Sequence, residues 1–396
     1  MKRPCDPDPM AEASGEARVT PAGAECRINA LGNDVLLRAI SFLEARQLVQ
    51  TCVLSRRWRN LWRSVPRINA THHEFDVMVD SEEERSVRIK KFTNALLMLR
   101  NPVALDAFRL SYFMTDYQEP ADPHADREED ANLWIHHALQ SNARNLQTGC
   151  AALESLLLSG CGIYDIEISS ETLKVLAIDD SSYFTTDKQL SISIPSLSYL
   201  GLPASARMPL LKNMGSLVTA SVSVSVDSEG ATIDGIYQFL RSLSVVTNLD
   251  FNFKGTMEII FRVWHALFMT SSYTLDLVQL KMEKNSQWCP KFNNLTALTL
   301  GDCCLSADYV LEIFLQNCPN LVKLTVKPKK CNYTSQTIIS KLKGKEGSLT
   351  SQNIEILEIE CSEGDRNVLE KLLMESGITS WNVDTEVGSE HVHVEH

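Results

Sequence analysis

The sequence predicts an α/β protein in which a small module of three helices precedes a long array of parallel strands with helical returns. Three short stretches between Arg27 and Arg67 carry apolar residues at helical spacing. From Leu153 onwards a pattern of the form L-x-x-L-x-L recurs, which is typical of a strand repeat. A chain of 396 residues is long enough to hold one such module and a repeat array.

Composition and charge set the broad class of the protein. Hydrophobic residues make up 44% and charged residues 22%, which is typical of a globular protein. The net charge of −12 argues against nucleic-acid binding as the main function, although residues 27–70 carry eight Arg and only two acidic residues. We expect no membrane segment, because no apolar run approaches ~20 residues. We also expect no secretory signal, because residues 1–26 lack an apolar stretch.

The first compact segment predicts three short amphipathic helices, which begin near Asn33, Ala45 and Arg56. Asn33 or Asp34 is expected to cap the first helix, and Ser55 the third. The apolar faces are formed in turn by Leu36, Leu37, Ile40 and Leu43, by Leu48, Val49 and Cys52, and by Trp58, Leu61 and Trp62. About forty residues bury too little apolar area to be stable alone. We therefore expect a partner to cover part of this surface; the alternative is that the tryptophans pack inside the module or against the next domain.

The run from Leu31 to Trp62 resembles an F-box, in the form found in plant F-box proteins with leucine-rich repeats. It reads LGNDVLLRAISFLEARQLVQTCVLSRRWRNLW, and its ending, L-S-R-R-W-R-x-L-W, is specific for that form. The sequence departs from the family at Gly32, where the family usually has Pro. Because Pro would fix φ before the helix, we expect Gly32 to weaken partner binding somewhat.

The resemblance implies the substrate-recognition subunit of an SCF-type (Skp–cullin–F-box) E3 ubiquitin ligase. The F-box would dock on a Skp-type adaptor, and through it on a cullin, while the repeats bind a target protein. The adaptor-binding residues implied in this way are Leu31, Leu36, Ile40, Leu43, Leu48, Leu54 and Trp58. Leu61 and Trp62 are expected instead to pack the module onto the repeats.

The repeat pattern has nine copies, and their spacing averages about 25 residues, inside the range of leucine-rich repeats. The copies begin at residues 153, 173, 197, 217, 246, 277, 295, 321 and 354. Each predicts one parallel strand and a helical return, such as Ser306–Gln316, and together they predict a solenoid in the form of a horseshoe arc. A strand at Leu105–Leu110 and helices at Phe92–Arg100 and Trp134–Gln140 are predicted before the copies.

These features divide the chain into six expected parts. They are a disordered tail at 1–26, the F-box at 27–67, linker helices with a first irregular repeat at 68–152, leucine-rich repeats at 153–350, a C-terminal capping repeat at 351–384 and a disordered tail at 385–396. The copy at Leu153 follows the strand-like start at Ala143 too closely for a helical return. An irregular junction, or a missing repeat, is therefore expected near 141–153.

Sequence motifs for catalysis and for cofactor binding are missing. There is no Gly-rich phosphate loop, no G-x-S-x-G elbow, no H-E-x-x-H and no C-x-x-C pair among the eleven Cys. We expect a non-enzymatic protein of the nucleus or cytoplasm, without cofactor or metal. Two alternatives stay open: a protein-binding repeat scaffold that does not engage the ligase, and a nucleic-acid-binding protein that uses the Arg-rich third helix.

Overall fold

The computed structural model describes thirteen stretches of the chain: 27–78, 82–112, 130–139, 153–163, 167–179, 182–184, 189–205, 208–225, 233–254, 289–301, 308–327, 354–361 and 382–385. Several predicted features lie outside these residues: the tail at 1–26, nearly all of the tail at 385–396, the junction near 141–153 and the repeat copy at Leu277.

The N-terminal module consists of short helices. It contains a 3-10 helix at Arg27–Ala30, α1 at Asn33–Ile40, α2 at Ala45–Gln50, and 3-10 helices at Thr51–Val53 and Trp58–Ser64. The third predicted helix is therefore a 3-10 helix, preceded by Arg57 without a side-chain cap, so the expected Ser55 cap is wrong. A 3-10 helix has three residues per turn, and this period places Trp58 and Leu61 on the same side.

The expected cap of α1 is also wrong. Gly32 occupies the N-cap position and no side chain caps the helix. The Asn33 side chain is used elsewhere: its Oδ1 accepts hydrogen bonds from Nε and Nη2 of Arg57, at 3.0 and 2.7 Å. This pairing ties the start of α1 to the segment that precedes the last 3-10 helix.

A parallel sheet of eleven strands follows the module. In chain order the strands within the described residues are β1 (Arg67–Thr71), β2 (Ala107–Ser111), β3 (Ser155–Ser159), β4 (Gly162–Ile163), β5 (Glu167–Ser169), β6 (Val175–Ile178), β7 (Tyr183–Phe184), β8 (Ser191–Ser193), β9 (Tyr199–Ser205), β10 (Leu210–Lys212), β11 (Thr219–Ser225), β12 (Asn248–Lys254), β13 (Ala297–Gly301), β14 (Lys323–Lys327), β15 (Ile356–Cys361) and β16 (Asn382–Thr385). The sheet has the order β1-β2-β3-β6-β9-β11-β12-β13-β14-β15-β16.

The repeat pattern determines this sheet. Every predicted copy within the described residues forms one of its strands, and the predicted strand at Leu105–Leu110 is β2. The second leucines of the copies meet in register, as Leu156 does opposite Leu176 and Leu176 opposite Leu200. These side chains are buried, so the repeated leucines form one continuous core.

The returns between strands differ from the prediction. Between β3 and β11 the described returns contain short strands: β5, β8 and β10 form a second parallel sheet, and β4 pairs with β7. Helical returns are therefore wrong for this part of the chain. Its repeats are only 20 to 24 residues long, and residues such as Ile168 and Ile192 alternate with polar neighbours, which is the period of a strand.

Helices occur where the intervals are longer. They are α3 (Glu82–Leu99), α4 (130–139), α5 (Ile233–Ser242) and α6 (Asp308–Asn317). The helices predicted at Phe92–Arg100, Trp134–Gln140 and Ser306–Gln316 are confirmed in α3, α4 and α6. No helix within the described ranges combines the length and apolar character that crossing a membrane requires.

The module and the sheet have separate cores that touch. The small core consists of Leu36, Ile40, Leu48, Trp58, Leu61 and Val65. Trp62 packs against both cores, while Ala45 and Val49 of α2 pack against the large one. Trp62 therefore joins the module to the repeats, as expected, whereas Leu61 belongs to the core of the module.

Candidate protein-interaction surface

Four of the seven predicted adaptor-binding residues are buried inside the module. Leu36, Ile40, Leu48 and Trp58 are each at most 5% exposed and pack against one another. Little of these side chains is accessible to a partner while the module keeps this conformation, and their role in adaptor docking stays a prediction. Their burial has a physical reason: even a module of about forty residues needs its own apolar core, and the helical faces with regular apolar spacing supply it.

The other three predicted residues differ in accessibility. Leu31 is 41% exposed and Leu54 is 64% exposed, whereas Leu43 is half-buried against the small core. Leu31 and Leu54 are therefore the predicted residues that a partner can reach most readily.

The module also exposes apolar side chains that the sequence analysis missed. Together with Leu31 and Leu54, we call the following residues the exposed apolar set: Ile28, Val35, Phe42 and Val53. Phe42 is 68% and Val53 82% exposed. These residues lie off the helical stripes, so periodicity did not single them out. A prediction that α2 ends at Gln50 would have placed Val53 beyond the helix and would have suggested that its side chain is exposed.

Arg57 connects two parts of this set. Its guanidinium donates hydrogen bonds to the carbonyl oxygen of Leu31 and to Asn33 Oδ1. The start of α1 therefore lies beside Arg57, which follows Leu54 by three residues in the chain. Arg38, Arg56 and Arg59 of the module are also exposed. The module thus exposes both large apolar side chains and basic ones.

Polar contacts fix the module to the first repeats. The Glu74 carboxylate accepts hydrogen bonds from the backbone N–H groups of Arg46, at 2.9 and 3.0 Å, and Gln47, at 3.1 Å. A carboxylate at this position accepts hydrogen bonds from N–H groups at the start of α2, which have no partner within the helix. Its negative charge also interacts favourably with the positive end of the helix dipole. Burial raises the pKa of Glu74, and the two backbone donors counteract that rise. The guanidinium of Arg46 also lies over the Phe75 ring.

A second junction lies at the end of the module. The Asn101 N–H donates to the carbonyl oxygen of Arg63 at 2.8 Å, and Arg100 Nη2 donates to that of Val65 at 3.0 Å. Burial lowers the pKa of Arg100 to about 10. The module is therefore held by α3 as well as by the 3-10 helix His72–Met78.

Gly32 provides a test of the one departure from the family pattern. Its φ of −62° is the angle that Pro prefers, and a Cβ there would meet nothing within 4 Å. Because Pro restricts the unfolded chain, we expect Gly32→Pro to raise the free energy of unfolding by about 0.4–1 kcal/mol. Urea denaturation measures this change, with Gly32→Ala as the control of smaller effect. A less stable Pro variant would contradict this account.

His72 predicts a pH dependence of stability. It is buried, with Nδ1 3.1 Å from Ser111 Oγ. Burial lowers its pKa below 6.5, and His73 and Arg85 act in the same direction, while Asp76 and the bond to Ser111 oppose them. Since the folded pKa lies below the unfolded one, the folded state disfavours protonation. Stability is therefore full above about pH 6.5 and is lost as the pH falls toward the folded pKa.

The measurement is the free energy of unfolding at about pH 7.5 and pH 5.5. We expect it to fall with pH in the wild type and in His73→Gln, whose ring is exposed. The fall should be smaller in His72→Gln. An equal fall in all three proteins would show that His72 does not contribute.

The described residues do not form a metal site: no three of their His, Cys, Asp and Glu side chains come together in a way that could hold an ion. Burial raises the pKa of the Cys161 and Cys318 thiols to about 12 and also raises that of Cys289. These thiols are therefore not thiolate nucleophiles at neutral pH.

Known plant proteins are similar in sequence to both the module and part of the repeats. Residues 28–69 match the F-box domain family. An F-box/FBD/LRR-repeat protein of Arabidopsis thaliana is 27% identical over 198 residues, which are 48% of this chain and 39% of the relative. An FBD-associated F-box protein of the same species is 34% identical over 122 residues, 31% of this chain and 25% of the relative.

A longer match reaches into the repeats. The meiotic F-box protein MOF of Oryza sativa subsp. japonica is 27% identical over 350 residues, 75% of this chain and 70% of the relative. By contrast, the chain spans less than half the length of the Arabidopsis relatives it matches. The chain carries an F-box domain and is a relative of the plant proteins that combine an F-box with leucine-rich repeats.

Proposed function

We propose that the protein is the substrate-recognition subunit of an SCF-type E3 ubiquitin ligase. Its F-box docks on a Skp-type adaptor, which connects it to a cullin, and its repeat sheet binds a target protein. The observation that carries this proposal is the exposed apolar set on a module that already has a complete core of its own. A relative whose name includes both the F-box and the repeats supports the combination of the two activities.

Burial of the exposed apolar set would favour a complex. Fully burying one large apolar side chain contributes about 1.5–3 kcal/mol. Covering Phe42, Val53 and Leu54 would contribute several kcal/mol toward the cost of association. The exposed arginines of the module would favour an acidic adaptor surface and raise the association rate. We therefore place the adaptor on the exposed apolar set rather than on the buried leucines.

The protein contributes proximity to the reaction and no catalytic group. Tethering a target near the ubiquitin-charged enzyme raises its effective concentration. The raised thiol pKa values of Cys161, Cys289 and Cys318 support this assignment, since a thioester intermediate would need a thiolate. We propose that it acts in the nucleus or the cytoplasm.

The nucleic-acid alternative has less support. Arg57 bonds to Leu31 and Asn33, the guanidinium of Arg67 lies over the Phe42 ring, and that of Arg63 over the Trp62 ring. These arginines have contacts within the protein that orient them. The net charge of −12 also disfavours binding to a row of phosphates.

The proposal is tested by purifying the full chain with a Skp-type adaptor and then adding a cullin. Size-exclusion chromatography with light scattering should show a 1:1 complex that the cullin enlarges. Absence of a complex at micromolar concentrations would contradict the proposal and favour a repeat scaffold that does not engage the ligase.

A further inference from the structure

The repeat sheet has one face that its core does not use. Side chains alternate along each strand, so every buried residue is followed by one on the opposite face. We call this second surface the open face. Its central row runs through Leu157, Ala177, Gly201, Ser221, Asp250, Thr299, Thr325 and Glu358, which are neighbours in register.

One part of the open face is apolar. Val175, Ala177 and Tyr199, on the adjacent strands β6 and β9, are half-buried. Gly201 is buried, and a Cβ there would lie 3.4 Å from both Ala177 Cβ and Tyr199 Cε1, so the Tyr199 ring lies beside the glycine. We call the partly exposed side chains of Val175, Ala177 and Tyr199 the apolar floor.

The other part of the open face is charged, and its charges are nearly balanced. Lys323 Nζ lies 2.8 Å from Glu358 Oε2, and Lys327 Nζ lies 2.8 Å from Glu360 Oε2. Asp250 is a fifth charged group at this end and leaves one carboxylate in excess of the two pairs.

Asp250 itself is half-buried on β12. Ser221 Oγ donates to its Oδ2 at 3.4 Å, which is a weak bond. Burial raises the pKa of Asp250. Lys327 and the Ser221 hydroxyl lower this pKa, and Glu360 raises it. Burial and, to a smaller extent, Asp250 raise the pKa of Tyr199, which belongs to the same environment. A cation placed at Asp250 would therefore meet a carboxylate that protein donors satisfy poorly.

The distance between the two parts defines the ligand. Neighbouring strands lie about 4.8 Å apart, so β6 and β12 are separated by three spacings, or about 14 Å, and β9 and β12 by about 10 Å. An extended chain advances about 3.3 Å per residue. Its side chains alternate, so only even separations place two of them on the same face, and four residues advance about 13 Å. A separation of four residues therefore spans the interval from the apolar floor to the carboxylate.

We propose that the open face binds an extended segment of the target protein in which a large apolar side chain lies four residues from a Lys or Arg. The apolar side chain packs against Val175, Ala177 and Tyr199, and the cation pairs with Asp250. This inference rests on the proposed function, because it names the class of target that the substrate receptor would recognise.

The test uses fluorescent Gly-Ser peptides that contain one Leu and one Arg, in either order, separated by one to six positions. Fluorescence polarisation with the full chain should give the tightest binding at a separation of four, because four positions put both side chains on the same face of an extended peptide. Replacing Arg by Gln in the best peptide should weaken binding about three- to tenfold, because the charged pair is lost.

Protein variants assign the cation to its partner. Asp250→Asn keeps the shape of the side chain, and we expect it to weaken the Arg peptide about three- to tenfold and to leave the Gln peptide unchanged. Glu171→Gln, at an exposed carboxylate away from the open face, is the matched control and should change neither. Val175→Asp should weaken both peptides, and circular dichroism checks that each variant is folded.

The contrary results are equally defined. Binding that does not depend on separation, an unchanged affinity in Asp250→Asn, or no binding up to ~1 mM peptide would overturn the inference. Adaptor affinity measured on the same protein separates this failure from that of the proposed function. A chain that binds the adaptor but ignores peptide spacing refutes only the open-face assignment, whereas the reverse pattern refutes the ligase role.

Discussion

Replacing Val53 and Leu54 together by Asp should lower the affinity for a Skp-type adaptor by about a hundredfold or more and leave the melting temperature unchanged. Both side chains are mostly exposed, so they contribute little to the core of the folded chain. In the complex each would be covered, at about 1.5–3 kcal/mol, and a hundredfold loss corresponds to about 2.7 kcal/mol. Isothermal titration calorimetry measures the affinity, and a thermal scan measures the melting temperature.

The matched control is Val218→Asp, an exposed valine of the repeat region that is 46% accessible. It introduces one Asp, where the double variant introduces two, at an exposed site outside the module, and we expect it to bind the adaptor like the wild type. A double variant that kept wild-type affinity would show that the adaptor docks elsewhere.

Leu36→Ala combined with Ile40→Ala should unfold or severely destabilise the module. Each side chain is buried in the small core, and truncation of a buried leucine or isoleucine costs about 2–5 kcal/mol. The two residues lie one helical turn apart in the same core, so their effects need not add. Adaptor binding would be lost as well, because the exposed apolar set depends on the position of α1.

Urea denaturation followed by tryptophan fluorescence, to which Trp58 and Trp62 contribute two of the six tryptophans, measures this loss. Val35→Ala is the control, since Val35 lies on the same helix and is 53% exposed. We expect it to retain nearly all of the stability. If Leu36→Ala/Ile40→Ala melted like the wild type and still failed to bind, Leu36 and Ile40 would contact the adaptor directly. That result would contradict the proposal that the adaptor binds the exposed apolar set.

The two predictions differ because the module has two kinds of apolar surface, which periodicity alone does not separate. Helical spacing identifies a face but not what covers it. Leu36 and Ile40 follow the helical period and form the core, whereas Phe42 and Val53 lie beyond the ends of α1 and α2, where the period no longer applies. The sequence therefore predicted the apolar faces of the module but not which of its apolar side chains are exposed.

The sheet was predictable for a simpler reason. Each L-x-x-L-x-L copy places its second and third leucines on one face of a strand, and neighbouring copies must bury that face together. The returns were predicted less well, because the prediction assumed a helix in every interval. The alternation around Ile168 and Ile192, in intervals of 20 to 24 residues, indicates short strands instead.

The same contacts affect how the protein should be dissected. Ala45, Val49 and Trp62 pack against the core of the repeats, and β1 is the first strand of the sheet. The F-box therefore covers the end of the repeat stack, which needs a cap. Removing the F-box would expose this end, so point variants in the exposed apolar set separate adaptor binding from folding more cleanly than a deletion.

Hydrogen exchange of the full chain with and without a Skp-type adaptor tests the central claim most directly. We expect the adaptor to slow amide exchange at residues 28–31, 41–43 and 51–54, and to leave the strands β12 to β15 unchanged. Unchanged exchange in these three segments, or protection centred on the repeat sheet, would contradict the placement of the adaptor on the exposed apolar set.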